Sequence, residues 1–124
     1  MESILLTGII DAHEGRAVMT TDIPNAFIQA PMPKREEKVI MKITGKCVDI
    51  LVNMHPEQYE EYVVYEKKKK VLYVEILQAL YRMLEAALLW YNKFRKDLEE
   101  EGFKFKPYDP CVANKMVGGK QFTI

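Results

Sequence analysis

The chain has 124 residues, 48% hydrophobic and 29% charged, a composition far from that of disordered chains and a length for one modest domain or a piece of a larger one. Eighteen Lys and Arg balance 18 Asp and Glu, which excludes a global basic field for nucleic acid and makes any such contact local. Cys47, Cys111, His13 and His55 are scattered, which excludes a close-spaced zinc or redox motif and predicts two reduced, structural thiols in an intracellular protein.

From Glu2 to His13, Leu5, Leu6, Ile9 and Ile10 recur at helical spacing and Gly15 is placed as a left-handed stop, so a short amphipathic helix is expected. Its apolar run "SILLTGII" is too short to span a bilayer and lacks the flanks of a signal peptide, so no membrane partner is expected. "AVMTTDI" (residues 17–23) is rich in β-branched residues and is ended by Pro24, which predicts a strand with Asp22 at its end. Asp22 then has two readings: a polar turn former beside Pro24 and Asn25, or a carboxylate held at a strand end for a metal ion.

"VIMKI" alternates Val39, Met41 and Ile43 on one face, a second strand. "CVDILVNM" suits a short helix ending before Pro56, and "PEQYEEYV" a further helical turn with Pro56 in its first position. "YVVYE" and "VLYVEI" predict a hairpin whose tip carries Lys67, Lys68, Lys69 and Lys70, either a solvated tip or a phosphate contact.

The strongest helix is expected over 84–101, with Leu84, Ala87, Leu88, Tyr91, Phe94 and Leu98 in one stripe and Gly102 as its cap. Trp90 and Tyr91 read as core rather than as a base-stacking platform. "CVANKMV", "GG" and "KQFTI" predict a second hairpin, and a pattern stopping in mid-strand predicts a fragment. The fold class expected is α+β, with antiparallel hairpins packed against helices.

Three stretches carry a resemblance. "TTDIPNAFIQAPM" resembles the Asp-x-x-x-Ala-Phe block of the reverse transcriptase of copia-type LTR retrotransposons, "KKVLYVEILQALYRMLEAALLWYNKF" its Leu-Tyr-Gly-Leu-x-Gln-Ala block, and "LEEEGFKFKPYDPCVANK" its Gly-Phe and Asp-Pro-Cys-Val segment. They stand in the family's order from about residue 18 onward, so residues 1–124 resemble a partial fingers and palm region.

The resemblance implies an RNA-directed DNA polymerase that transfers dNMP to a primer 3′-hydroxyl with two Mg²⁺ or Mn²⁺ ions, its partners a primer-template of RNA or DNA and a dNTP. It implies that Asp22 is the first metal-binding carboxylate with the carbonyl of Ile23 beside it, that the amides of Asn25 and Ala26 meet the triphosphate, and that Phe27 lies under the sugar. Core packing is the alternative for Phe27. Lys67, Lys68, Lys69, Lys70 and Arg82 are the expected backbone contacts.

Several departures stand in the second block, where Met83, Ala87, Leu88 and Leu89 replace more polar or rigid family residues. Arg82 occupies the place of a common glycine, and Glu85 that of a common glutamine; as a nucleotide-site residue an ionised carboxylate cannot donate and repels phosphate. Glu85 also reads as a residue favoured by a helix N-terminus. The family's paired aspartates are expected after "GGKQFTI", so this polypeptide alone is expected not to polymerise DNA, to self-associate through exposed palm surface, and to be cytoplasmic or nuclear. The reading from another class is a non-catalytic, domesticated or pseudogene remnant serving as a binding or structural module.

Overall fold

The computed structural model describes residues 2–34 and 37–124. It is a mixed α+β chain with two small antiparallel sheets and four α-helices among the described residues. No described helix is long and apolar enough to cross a membrane.

α1 (Glu2–Glu14) ends where Gly15 takes φ +62° and the Arg16 N–H reaches the Asp11 carbonyl at 2.9 Å, the left-handed stop that glycine makes cheap. The helix forms as its spacing predicts, but none of its residues is buried. Residues 17–23 are not a strand: they form no ladder, and Val18 and Met19 are exposed. β propensity describes a fit to a pleated, half-buried surface, and with no neighbouring strand to pair with, this segment stays irregular. Asp22 therefore precedes a turn rather than ending a strand.

The first sheet has the order β1 (Ile40–Thr44), β3 (Lys69–Glu75), β2 (Val64–Glu66). β1 pairs with β3 in the register Ile43 to Leu72, and β2 pairs with β3 in the register Val64 to Val71. Successive residues point to opposite faces, and both Val71 and Leu72 are buried, so both faces of the central strand are covered there. α2 (Lys46–Met54), with Val48 fully buried, covers the Leu72 face, and Asp49 ties it to Lys70 at 2.7 Å. α3 (Pro56–Tyr59) begins at Pro56 and runs into a 3₁₀ turn over Glu60–Tyr62. The hairpin turn takes two lysines rather than four: Lys67 and Lys68 adopt φ +47° and +65°, while Lys69 and Lys70 already belong to β3.

α4 (Ala86–Glu100) starts two residues later than its pattern predicts, and its inward face is rotated. Ala86 is buried and Leu89 and Trp90 pack beside it, whereas Leu84, Ala87 and Leu88 face solvent. The sequence "LEAALLW" is apolar on nearly every side, so periodicity leaves the face open and the partner segment decides it. Tyr91, Phe94 and Leu98 are half-buried as expected. α4 ends in a Schellman motif: Gly102 at φ +86° gives its N–H to the Glu99 carbonyl at 3.0 Å, and Phe103 gives its own to Leu98 at 2.9 Å.

The second sheet has the order β4 (Lys104–Phe105), β5 (Ala113–Val117), β6 (Lys120–Thr123). Gly118 and Gly119, at φ +57° and +77°, make the tight two-residue turn expected between β5 and β6. The two cysteines are free but both exposed, so the expectation of structural thiols is corrected: neither side chain is in the core.

Candidate nucleotide-binding turn

Pro24, Asn25 and Ala26 turn the chain into a 3₁₀ helix over Phe27–Gln29. Asn25 sits at φ +54°, a left-handed conformation that asparagine tolerates better than most residues. The turn is closed by the Gln29 N–H to the Ala26 carbonyl at 3.1 Å, the Ala30 N–H to the Phe27 carbonyl at 3.0 Å, and the Gln29 side chain to the Pro24 carbonyl at 3.0 Å. These bonds hold the turn from its own residues. Asp22 and Asn25 are exposed, Ile23 and Ala26 half-buried.

Phe27 points into the molecule, which is the packing alternative for that residue. It lies against the buried trio Ala30, Ala79 and Ala86, together with Met32, Met83, Leu89 and Trp90, and its ring centroid is 4.8 Å from that of Tyr81. The two segments are joined through their backbones: the Ala79 N–H reaches the Ala30 carbonyl at 2.9 Å, and the Met32 N–H reaches the Leu77 carbonyl at 3.0 Å. With its amide nitrogen turned toward the turn, Gln78 also donates to the Ile28 and Ala30 carbonyls at 3.0 and 3.2 Å. The first and second sequence blocks are thereby one packed unit.

Sequence reasoning missed Ala30, Gln78, Ala79 and Tyr81 as the residues that make this unit. The available signal was the pair of alanines at 79 and 86, one heptad apart, in a segment otherwise rich in large side chains.

Arg82 follows Tyr81, is exposed, and adopts φ +74°. Its position therefore demands the conformation that glycine accepts without steric cost. Glu85 is half-buried just before α4, and its carbonyl accepts the Leu89 N–H at 2.9 Å. The chain thus brings Asn25, Ala26 and Phe27 to one side of the alanine trio and Arg82 and Glu85 to the segment packed against it.

The lysine tip belongs to the first sheet, and no hydrogen bond or ion pair among the described residues joins it to the turn. Lys70 is held by Asp49, whose hydrogen bond raises its pKa. Lys67, Lys68 and Lys69 are exposed.

Asp22 offers one outward carboxylate, and no group of three or more His, Cys, Asp or Glu converges among the described residues. It fits the part of a single ligand to a hard cation rather than a complete Mg²⁺ cage. A cleft of about 350 Å³ between Met32 and Leu77, lined also by Lys38 and Glu75, includes none of these residues. Compared with family models, curated proteins and solved structures, the chain shows no match.

Proposed function

We propose that this chain is part of the fingers and palm of an RNA-directed DNA polymerase of a copia-type retrotransposon, and that residues 22–27 are its triphosphate-binding turn. The observation that carries the reading is the backbone of Arg82: where the family commonly has glycine, the chain keeps a left-handed φ of +74° while bearing an arginine. An L-residue in this region costs about 1 to 2 kcal/mol, which is a reason to read the position as a former glycine. The packing of Phe27 on Tyr81 supports it further, because the two blocks that carry the resemblance are in contact.

In this reading Asp22 supplies one ligand to a divalent ion, and the amides of Asn25 and Ala26 face the phosphates. Successive N–H groups in a turn with a left-handed residue form a concavity suited to anions. Arg82, Lys67, Lys68 and Lys69 contact template or primer phosphates. The polypeptide alone does not extend a primer, because a single carboxylate holds Mg²⁺ weakly.

Glu85 and Arg82 together favour a second reading, a non-catalytic descendant that keeps the scaffold. Calorimetric titration with Mg²⁺ and dTTP separates the two, with the Asp22→Asn variant beside the parent. The polymerase reading expects Mg²⁺-dependent binding that the variant loses. No binding, or binding indifferent to the substitution, overturns it and leaves the non-catalytic module.

A further inference from the structure

A nucleotide needs a surface for its base as well as for its phosphates, and at this junction the rings divide into those already used and one left open. Phe27 is half-buried against the alanine trio, Trp90 packs into the same core, and the Tyr91 hydroxyl is tied to the Pro110 carbonyl at 2.9 Å. Tyr81 is 56% exposed. Its ring meets that of Phe27 with the planes 55° apart, a tilted contact that does not cover a face of Tyr81 as a parallel stack would.

The local backbone aims this ring outward. The Met83 N–H reaches the Leu80 carbonyl at 3.2 Å, closing a four-residue turn with Tyr81 and Arg82 at its corners. Arg82 lies at φ +74° and Tyr81 is not in the positive-φ region, which is the pattern of a type II turn, where the third residue is left-handed. The unfavourable conformation of Arg82 is therefore what directs Tyr81. Strain kept beside a candidate site gives a physical reason to look for a role in what it positions.

We propose, resting on the reading of residues 22–27 as a triphosphate-binding turn, that Tyr81 is the base-stacking platform of that site. A nucleoside triphosphate whose phosphates meet the amides of Asn25 and Ala26 lays its base on the Tyr81 ring. Phe27 directly follows Ala26, and its ring centroid is 4.8 Å from that of Tyr81, so the platform lies about one side chain from the phosphates and the ribose spans the gap. Phe27 is then a positioning residue that backs the platform from the core side. Every base has a π-face, so such a ring accepts all four nucleotides and favours the larger purines.

The test is a chemical-shift titration in Mg²⁺ with methyl triphosphate, dTTP and dATP; the first has the same phosphate chain and ester linkage but no nucleoside. All three are expected to shift the amides of Asn25 and Ala26, and only the two nucleotides to shift the ring protons of Tyr81. The expected affinity of dTTP is about tenfold above that of methyl triphosphate, with dATP tighter again. Tyr81→Leu brings both nucleotides down to the affinity of methyl triphosphate, whose own binding is unchanged and shows that the turn is intact, while Tyr81→Phe keeps the nucleotide advantage. If methyl triphosphate binds at Asn25 and Ala26 but the nucleotides bind no tighter, or keep their advantage in Tyr81→Leu, the platform is overturned and the turn stands. If none of the three binds, the triphosphate turn fails and the platform with it.

Discussion

The ring of Phe27 meets the ring of Tyr81 at 4.8 Å between centroids, with the planes tilted by 55°. This contact joins two segments separated by more than fifty residues and sits over the alanine trio at 30, 79 and 86. Backbone bonds between the same segments, Ala79 to Ala30 and Met32 to Leu77, hold them together, and Ala30, Ala79 and Ala86 are fully buried where they meet.

Ala79→Leu is expected to destabilise the fold by about 1 to 3 kcal/mol, because the extra volume has no void to fill. Phe27→Ala, which empties a half-buried site, is expected to cost about 2 kcal/mol, less than for a fully buried ring. Urea denaturation of both variants against the parent checks the pair; an unchanged midpoint for Ala79→Leu would mean that the two segments are not packed this closely.

Arg82→Gly is expected to stabilise the chain by about 0.5 to 1 kcal/mol, since relief of the left-handed strain exceeds the added entropy of the unfolded glycine. Asn25→Gly serves as the comparison. Asn25 has φ +54°, and because asparagine already tolerates that region, the gain there is expected to be within about 0.5 kcal/mol of zero. Denaturant midpoints measured side by side decide whether Arg82 occupies a glycine position.

Gly102→Ala is expected to destabilise α4 by about 1 kcal/mol. The nearest atom to an added Cβ is Lys115 Cε at 3.8 Å, an ordinary contact, so the cost comes from the φ of +86° and not from crowding. Thermal unfolding followed by circular dichroism at 222 nm reads it, and Gly102→Asn is expected to recover part of the loss.

The Glu66 carboxylate accepts hydrogen bonds from Lys42 and from Tyr73, which hold its pKa below its ordinary 4.5. The unfolded chain therefore takes up this proton at higher pH than the folded chain does. The stabilisation is fully present above the ordinary value and disappears as pH falls through it and below the folded value. Glu66→Gln is expected to flatten that acid-side loss, and carboxyl carbon shifts followed from pH 7 down to about 2 give the folded titration directly.

Much of this architecture is legible because local chemistry settles it. The stops at Gly15 and Gly102, the turn at Gly118 and Gly119, and the start at Pro56 each follow from one residue's φ preference. The hairpin across Lys67 and Lys68 follows from two strand-like runs rather than from its turn residues, for lysine has no preference for positive φ.

The failures have tertiary causes. Residues 17–23 have the composition of a strand, but a strand exists only where an edge receives it. The inward face of α4 is chosen by the 3₁₀ turn at Phe27–Gln29, which selects Ala86, Leu89 and Trp90 over Leu84, Ala87 and Leu88. The two-residue β4 has too few residues for alternation to show. Of the candidate site, the sequence supplies Asp22, Pro24 and Asn25 as residue types suited to a turn. It is silent on which distant segment holds that turn in place, because contact between residues 27 and 81 is long-range.

The measurement that tests the central claim most directly is a ¹⁵N-¹H spectrum of the chain titrated with dTTP and Mg²⁺, with Asp22→Asn in parallel. The account predicts that the amides of Asn25 and Ala26 shift most and saturate together, and that the shifts shrink in the variant. Shifts confined to the lysine tip at 67–69, or no shift at Asn25 and Ala26, would contradict it.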